Sequence, residues 1–330
     1  MKILITGGAG FIGYHLAKHL VSNTENSLVL IDNLQRGKMD EDLKILLANS
    51  RVQFIQADLT DPEFYKDMPI DFDHVYHLAA VNGTKLFYQM PQEVLRINTL
   101  SLIYILEWIR CLEKKPKLCF TSSNEAYAGA LEAFNQLPLP TPEAVPLVIS
   151  DMYNPRWSYA GTKLIGEQFV IFYARAYNFS AVIVRPHNFY GPRAGYDHVL
   201  PEWSQKIMNQ TEPFIIFSPD ETRTFCYITD AVEAMQLLMD SSTTHAHPIE
   251  TVHIGNTDEI TMFDLANKMF VAVGWTPKKL EFESSPQGSV KRRLPDISKI
   301  KNLVGWQPKT KLEDGLKKTF EWYTKHPKHQ

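Results

Sequence analysis

Tyr159-Ala160-Gly161-Thr162-Lys163 sets a phenol and an ammonium at positions i and i+4, which share one face of a helix. A free tyrosine ionises near pH ~10 and is a poor base at neutrality. A fixed cation one turn away stabilises the phenolate, so the pair suits removal of a proton from a hydroxyl. Upstream, Thr121-Ser122-Ser123-Asn124-Glu125-Ala126-Tyr127 follows an apolar run. A hydroxyl in this stretch can bond the same substrate oxygen and share its proton. Taken singly, each pattern is common, since serines after a strand often only cap or turn.

A third group of residues gives these two a context. Thr6-Gly7-Gly8-Ala9-Gly10-Phe11-Ile12-Gly13 follows the apolar run Lys2–Thr6 and opens an amphipathic stretch. Gly7, Gly10 and Gly13 fit a tight turn, close backbone approach to a pyrophosphate, and close helix–strand packing; the N–H groups near Phe11 and Ile12 then face the phosphates. The second apolar run ends on Asp32-Asn33. A carboxylate there hydrogen-bonds the ribose hydroxyls and repels a 2′-phosphate, which selects NAD over NADP. Asp58-Leu59 after the third run can face the adenine. Leu78-Ala79-Ala80 after the fourth leaves room for the cofactor across the strand ends. With a hydride acceptor placed there, Tyr159 would take the hydroxyl proton while the nicotinamide takes the hydride, and Lys163 could also hold the nicotinamide ribose.

The elements that must position these groups are legible as alternating patterns. Runs at Lys2–Thr6, Ser27–Ile31, Val52–Gln56, His74–His77 and Lys117–Thr121 are rich in Val, Ile, Leu and Phe and bounded by turn residues, as expected of strands buried on both faces. Helical stretches at Phe11–Val21, Glu41–Ala48 and Pro91–Cys111 lie between them. The alternation predicts an α/β fold with a doubly wound parallel sheet, the Rossmann arrangement. Leu137–Pro155 is too proline-dense for a helix. It leads into a long helix from about Ser158 to Asn178, then a strand Ala181–Arg185. Beyond Gly191 the pattern loosens into short strands and helices, including Asp230–Met239, Met262–Phe270 and Leu312–Trp322.

Of the 330 residues, 44% are hydrophobic and 22% charged, with a net charge of −3. This balance suits a globular protein and disfavours a nucleic-acid or anionic-membrane partner. Lys291, Arg292 and Arg293 form a short basic cluster suited to one anionic ligand or a solvated surface. No apolar run approaches ~18 residues, and the glycines near the N-terminus argue against a signal peptide. Cys111, Cys119 and Cys226 are widely spaced, reading as reduced thiols of a cytoplasmic protein. No metal site is expected: His74 and His77 point to opposite faces of one strand.

In these residues the chain resembles the extended short-chain dehydrogenase/reductases, specifically the NAD-dependent epimerase/dehydratase family, over nearly its whole length. The family's TGGAGFIG is Thr6–Gly13, its Asp-Asn pair Asp32-Asn33 and its YxxxK Tyr159/Lys163. Its R-x-x-N-x-Y-G-P-R is Arg185, Asn188, Tyr190, Gly191, Pro192 and Arg193. Its R-x-F-x-Y-[IV]-x-D is Arg223, Phe225, Tyr227, Ile228 and Asp230, and its R-x-P-D…GW-x-P is Arg293, Pro295, Asp296, Gly305, Trp306 and Pro308. The resemblance implies NAD as cofactor and a nucleotide sugar as substrate, with Ser123 the catalytic hydroxyl beside Tyr159, Lys163 and Glu125. It implies that Asn188 contacts the sugar diphosphate and that Arg223 and Arg293 clamp phosphates, which suits a planar guanidinium. Asn124 and His187 join the expected substrate contacts, and Asn98 and Pro186 the cofactor contacts. Residues 1–185 would form the NAD-binding Rossmann domain. Residues 186–330 would form a smaller nucleotide-sugar-binding domain interleaved with it.

Family members share oxidation at C4 of the sugar and then diverge. The related 4,6-dehydratases carry Asp-Glu after the catalytic hydroxyl, and here Asn124 cannot donate a proton as an acid. Asn124-Glu125, with Asn154-Pro155-Arg156-Trp157-Ser158-Tyr159, is nearer to uronate decarboxylases. The 4-epimerases need no additional acid or base. We therefore expect C4 epimerisation first, with UDP-uronate decarboxylation or dehydration as alternatives. A net NAD-dependent dehydrogenase and a non-enzymatic NAD-binding regulator follow. The family commonly dimerises through the helix bearing Tyr159 and the one before it, and a homodimer is expected.

Overall fold

The computed structural model of the chain describes residues 1–134, 137–242, 248–284 and 292–327. Each apolar run of the first half becomes a strand: β1 (Lys2–Thr6), β2 (Ser27–Asp32), β3 (Val52–Gln56), β4 (His74–His77), β5 (Lys117–Thr121) and β6 (Ala181–Pro186). Short strands follow: β7 (Phe189–Tyr190), β8 (Phe214–Phe217), β9 (Thr222–Thr224) and β10 (Cys226–Tyr227). Then come β11 (Ile249–Ile254), β12 (Glu259–Thr261) and β13 (Leu280–Glu283). The main sheet is parallel with seven strands in the order β11-β6-β5-β4-β1-β2-β3. β1 has β2 on one side and β4 on the other, so the crossovers diverge there and leave a crevice at the carboxyl ends. The register keeps those ends level, with Thr6 opposite both Ile31 and His77.

The helices are α1 (Phe11–Leu20), α2 (Glu41–Leu47), α3 (Thr84–Gln89), α4 (Pro91–Cys111), α5 (Ala128–Phe134) and α6 (Trp157–Tyr177). After them come α7 (Val199–Met208), α8 (Ile228–Asp240), α9 (Met262–Val273), α10 (Ser298–Val304) and α11 (Leu312–Lys325). One apolar core packs α1 and α8 on the sheet, with Leu16, Ala17, Leu20, Ala231, Met235 and Leu238 buried. The other packs α4 and α6 on the opposite face through Leu102, Ile105, Leu106, Ile109, Val170 and Ala174. These α4 residues are committed to the core. The large hydrophobic side chains left exposed on this pair are Leu95, Ile165, Phe172 and Tyr177.

Sequence patterns did not anticipate α3 and α5, each one or two turns long. The proline-dense segment from residue 137 to 155 contains no helix. No helix among the described residues is long and apolar enough to cross a membrane.

Candidate active site

Gly7 turns the chain out of β1 with φ +70°, a left-handed value that glycine adopts without strain. Its N–H and that of Gly8 both bond the Ile31 carbonyl, at 2.8 and 3.2 Å. A Cβ at Gly13 would fall 2.2 Å from the Gly7 oxygen, so only glycine lets α1 begin so close to β1. Gly10 caps α1 without any side-chain bond, and no acidic residue lies in the first turn. The N–H groups and the positive end of the helix dipole therefore remain available to an anion.

These residues open onto a cleft of about 550 Å³. Gly7, Gly10, Phe11, Ile12 and Gly13 form its floor at the glycine turn, and Asp32 and Asn33 line it at the end of β2. Asp58 and Leu59 line it after β3, and Leu78, Ala79 and Ala80 after β4. The Asp32 carboxylate accepts from the N–H of Ala9 at 3.1 Å and of Leu34 at 2.8 Å. Burial raises its pKa, against the pull of those donors and of Arg193. The glycine cradle and a fixed carboxylate at the second strand fit the pyrophosphate and ribose of NAD.

Asn98 and Pro186 do not line this cleft. The Asn98 amide accepts from Val81 N–H at 2.6 Å, donates to Val81 O at 3.1 Å and reaches the Thr162 hydroxyl at 3.3 Å. It ties the loop after β4 to α6. Sequence patterns also missed part of the opposite wall: Arg36, Arg193, Tyr196 and His198, with Trp322 and His326 at the end of α11. Arg193 was visible as a motif residue. No periodicity marks the chain's last helix as part of a cofactor cleft.

The catalytic-type group converges beyond β5. Gly166 lets α6 pack tightly on that strand, since a Cβ there would meet the Phe120 ring at 2.7 Å. This seats Tyr159 and Lys163 beside the Ser123 loop. The Ser123 hydroxyl lies near enough to the Tyr159 phenol to draw its pKa down, and it accepts from the Glu125 N–H at 3.1 Å. The phenol ring stacks on Phe87 with centroids 5.0 Å apart. Burial raises the phenol above its ordinary pKa; Ser123 draws it down, Glu125 pushes it up, and Arg36 draws it down. Desolvation dominates, and the lowering expected from Lys163 does not figure among the causes. The Lys163 ammonium donates to the Thr121 carbonyl at 2.8 Å and lies 5.5 Å from the Tyr159 ring centroid. Burial lowers its pKa to about 7, with Glu167 pulling the other way.

Glu125 is held between two guanidiniums, 3.2 Å from Arg156 and 2.6 Å from Arg293. Burial alone would raise its pKa, but Arg293 and Arg156 outweigh that and keep the carboxyl below its usual range. Arg293 thus belongs to the Glu125 group. Arg223 lies near both and pairs with Glu221 at 2.7 Å. Of the basic cluster, Lys291 lies outside the described residues. Asn124 is buried beside Ser123, and Asn188 donates its amide to the Thr224 carbonyl at 2.8 Å.

His187 departs from the substrate contact expected of it. It is 1% exposed, bonds the Tyr127 hydroxyl at 2.8 Å and packs against His253. Burial, then His253 and nearby arginines, drive its pKa well below the ordinary value. The ring is a neutral support behind the Ser123 loop. Among the described residues, no group of three His, Cys, Asp or Glu side chains could hold a metal ion.

A family model described as GDP-mannose 4,6 dehydratase matches residues 4–319. The chain belongs to the extended short-chain dehydrogenase/reductases of the NAD-dependent epimerase/dehydratase family. It is 30% identical to UDP-glucuronic acid decarboxylase 6 of Arabidopsis thaliana over 96% of this chain and 87% of that one. A UDP-N-acetyl-alpha-D-glucosaminuronate decarboxylase of Bacillus cytotoxicus is 29% identical over 98% of this chain and 97% of its own. Among solved structures, a UDP-glucuronic acid 4-epimerase from Bacillus cereus, in complex with UDP-glucuronic acid and NAD, superposes with a TM-score of 0.84. It is 26% identical, covering 99% of this chain and all of that one. As in these relatives, the family's activity is NAD-dependent modification of a nucleotide sugar, and this member is an enzyme.

Proposed function

We propose that this enzyme oxidises C4 of a nucleotide-linked hexuronate and then releases the sugar's carboxyl group as carbon dioxide. The observation that carries the reading is the Glu125 group: two guanidiniums, Arg156 and Arg293, against one carboxylate. The excess positive charge suits a sugar that is itself anionic at C6. Glu125, held ionised, is a poor acid, and its depressed pKa also makes it a weak base. Asn124 cannot supply the acid either, which disfavours dehydration.

Bound NAD supplies the hydride acceptor for the oxidation and the donor for the closing reduction. Gly7, Gly10, Gly13 and Asp32 would hold it. Tyr159 takes the C4 hydroxyl proton, Ser123 orients that hydroxyl, and Lys163 keeps a cation beside the phenol. The C4 ketone makes the sugar a β-keto acid. The C5–C6 bond breaks with its electrons drawn toward the ketone oxygen, and C5 afterwards takes a proton. Arg156 and Arg293 orient the carboxylate before it leaves.

Epimerisation at C4 of the same uronate is the second reading, favoured by the similarity to the Bacillus cereus 4-epimerase. Incubation with UDP-glucuronate, followed by mass spectrometry, separates the two: loss of carbon dioxide supports the first, and a C4 epimer of unchanged mass replaces it with the second. Tyr159→Phe should lower turnover in either case by at least a hundredfold, with NAD still bound. Glu125→Gln should spare hydride transfer and slow the later step, because it frees Arg156 and Arg293 from the carboxylate that positions them; full decarboxylation by this variant would remove Glu125 from that positioning. We place the enzyme in the cytoplasm, where its free cysteines would stay reduced. We also propose that it pairs as a homodimer through α4 and α6, whose exposed Leu95, Ile165 and Phe172 offer an apolar face.

A further inference from the structure

Arg36 is part of no motif quoted for the family, yet it lines the cofactor cleft. It leaves the loop after β2, lines the same cleft as Gly10 and Gly13, and crosses toward the loop after β4. There it lies between two glycines. A Cβ at Gly83 would be 3.6 Å from one of its terminal nitrogens, and a Cβ at Gly195 would be 3.8 Å from the same nitrogen. Neither glycine narrows the channel the side chain uses. Asp197 is the nearby acidic group, and the charge also acts on Tyr159 and His198. Arg36 nevertheless makes no hydrogen bond or close ion pair among the described residues, although Arg156, Arg185, Arg193, Arg223 and Arg293 each pair with a carboxylate.

A guanidinium without a protein partner on the wall of a cleft has five donors free for a ligand. Such a group is matched by a doubly accepting oxyanion. We propose that Arg36 is a cofactor-binding residue that closes over the dinucleotide from the side opposite the glycine turn and bonds a pyrophosphate oxygen. Placement favours phosphate over the sugar's carboxylate. Arg36 shares its cleft with the glycine turn and Asp32, whereas the carboxylate-type site is built separately from Arg156 and Arg293. The phosphates would then be held from below by helix N–H groups and from above by a side chain. That arrangement retains NAD through a reaction that regenerates it. The inference holds whichever rearrangement follows the oxidation.

The test is the full chain with Arg36→Gln and Arg36→Lys. NAD affinity is titrated by isothermal calorimetry, and KM is compared for UDP-glucuronate and neutral UDP-glucose. Circular dichroism melting confirms the fold, which an exposed side chain in a loop should leave intact. Arg36→Gln should weaken NAD binding about ten- to a hundredfold, the range of one charge-assisted bond, and Arg36→Lys should recover part of the loss. Intact NAD affinity with a raised KM for UDP-glucuronate alone would overturn the phosphate assignment and move the contact to the sugar carboxylate. NAD affinity and both KM values unchanged would show that Arg36 contacts neither.

Discussion

Lys163 illustrates how a side chain can be unfavourable to the fold where we propose it serves the chemistry. Its pKa of about 7, against an ordinary 10.5, arises from burial. Below about pH 7 both folded and unfolded chains carry the proton, and the folded chain bears the full cost of a buried ammonium. Between 7 and 10.5 the unfolded chain binds more protons, so stability rises with pH across that window. Without added NAD, Lys163→Met should therefore melt higher than the parent at pH 6, and the difference should shrink as pH approaches 10. A constant difference across the range, measured by calorimetry, would contradict a depressed lysine. The same variant should have almost no activity. The sequence showed Lys163 and Tyr159 as a pair because i and i+4 spacing is a local property of a helix. It could not show that Lys163 spends a donor on the Thr121 carbonyl, or that Glu125 would meet Arg293 from far along the chain.

At the scale of elements, the site depends on how α6 meets β5 and β6. Beyond the glycine contact, one buried ion pair fixes that angle. Arg185 on β6 donates twice to Glu167 on α6, both bonds 2.8 Å, and Ser122 adds a third bond at 2.5 Å. Both charged side chains are about 5% exposed or less, so removing one partner leaves an uncompensated charge in the interior. Glu167→Gln should cost roughly 3–5 kcal/mol in urea denaturation. It should also lower kcat through a displaced Ser123 loop while NAD affinity changes little. A loss below ~1 kcal/mol would mean the pair is not what sets the angle. The strands and long helices of this region were readable because parallel strands buried on both faces are uniformly apolar and turn-bounded. α3 and α5 were not, since one or two turns are too short for a helical period to accumulate. The ion pair was hidden for another reason: Arg185 was legible as a motif residue, but a partner on a neighbouring element leaves no local signature.

Across the whole molecule, the cofactor cleft and the core both ignore the boundary near residue 185. The floor comes from the glycine turn and β2, while Arg193, Tyr196 and Trp322 come from the second part. The Trp322 indole donates to Asp42 at 2.8 Å, and the Tyr196 hydroxyl to the His326 carbonyl at 2.6 Å, tying the end of α11 to α2 and to the loop after β7. β11 pairs with β6 along its length, and α8 covers the sheet beside α1. We therefore propose a division of labour between residues 1–185 and 186–330 without independence in folding. A fragment of residues 1–185 would leave β6 as an open edge and uncover the face that α8 buries. It should lack a cooperative melt and bind NAD weakly or not at all. The intact chain should unfold in one transition that NAD at a hundredfold excess over Kd raises by about 2.7 kcal/mol. Two separate transitions, with NAD shifting only one, would show that each part carries its own core and that the cleft's far wall holds nothing of the cofactor.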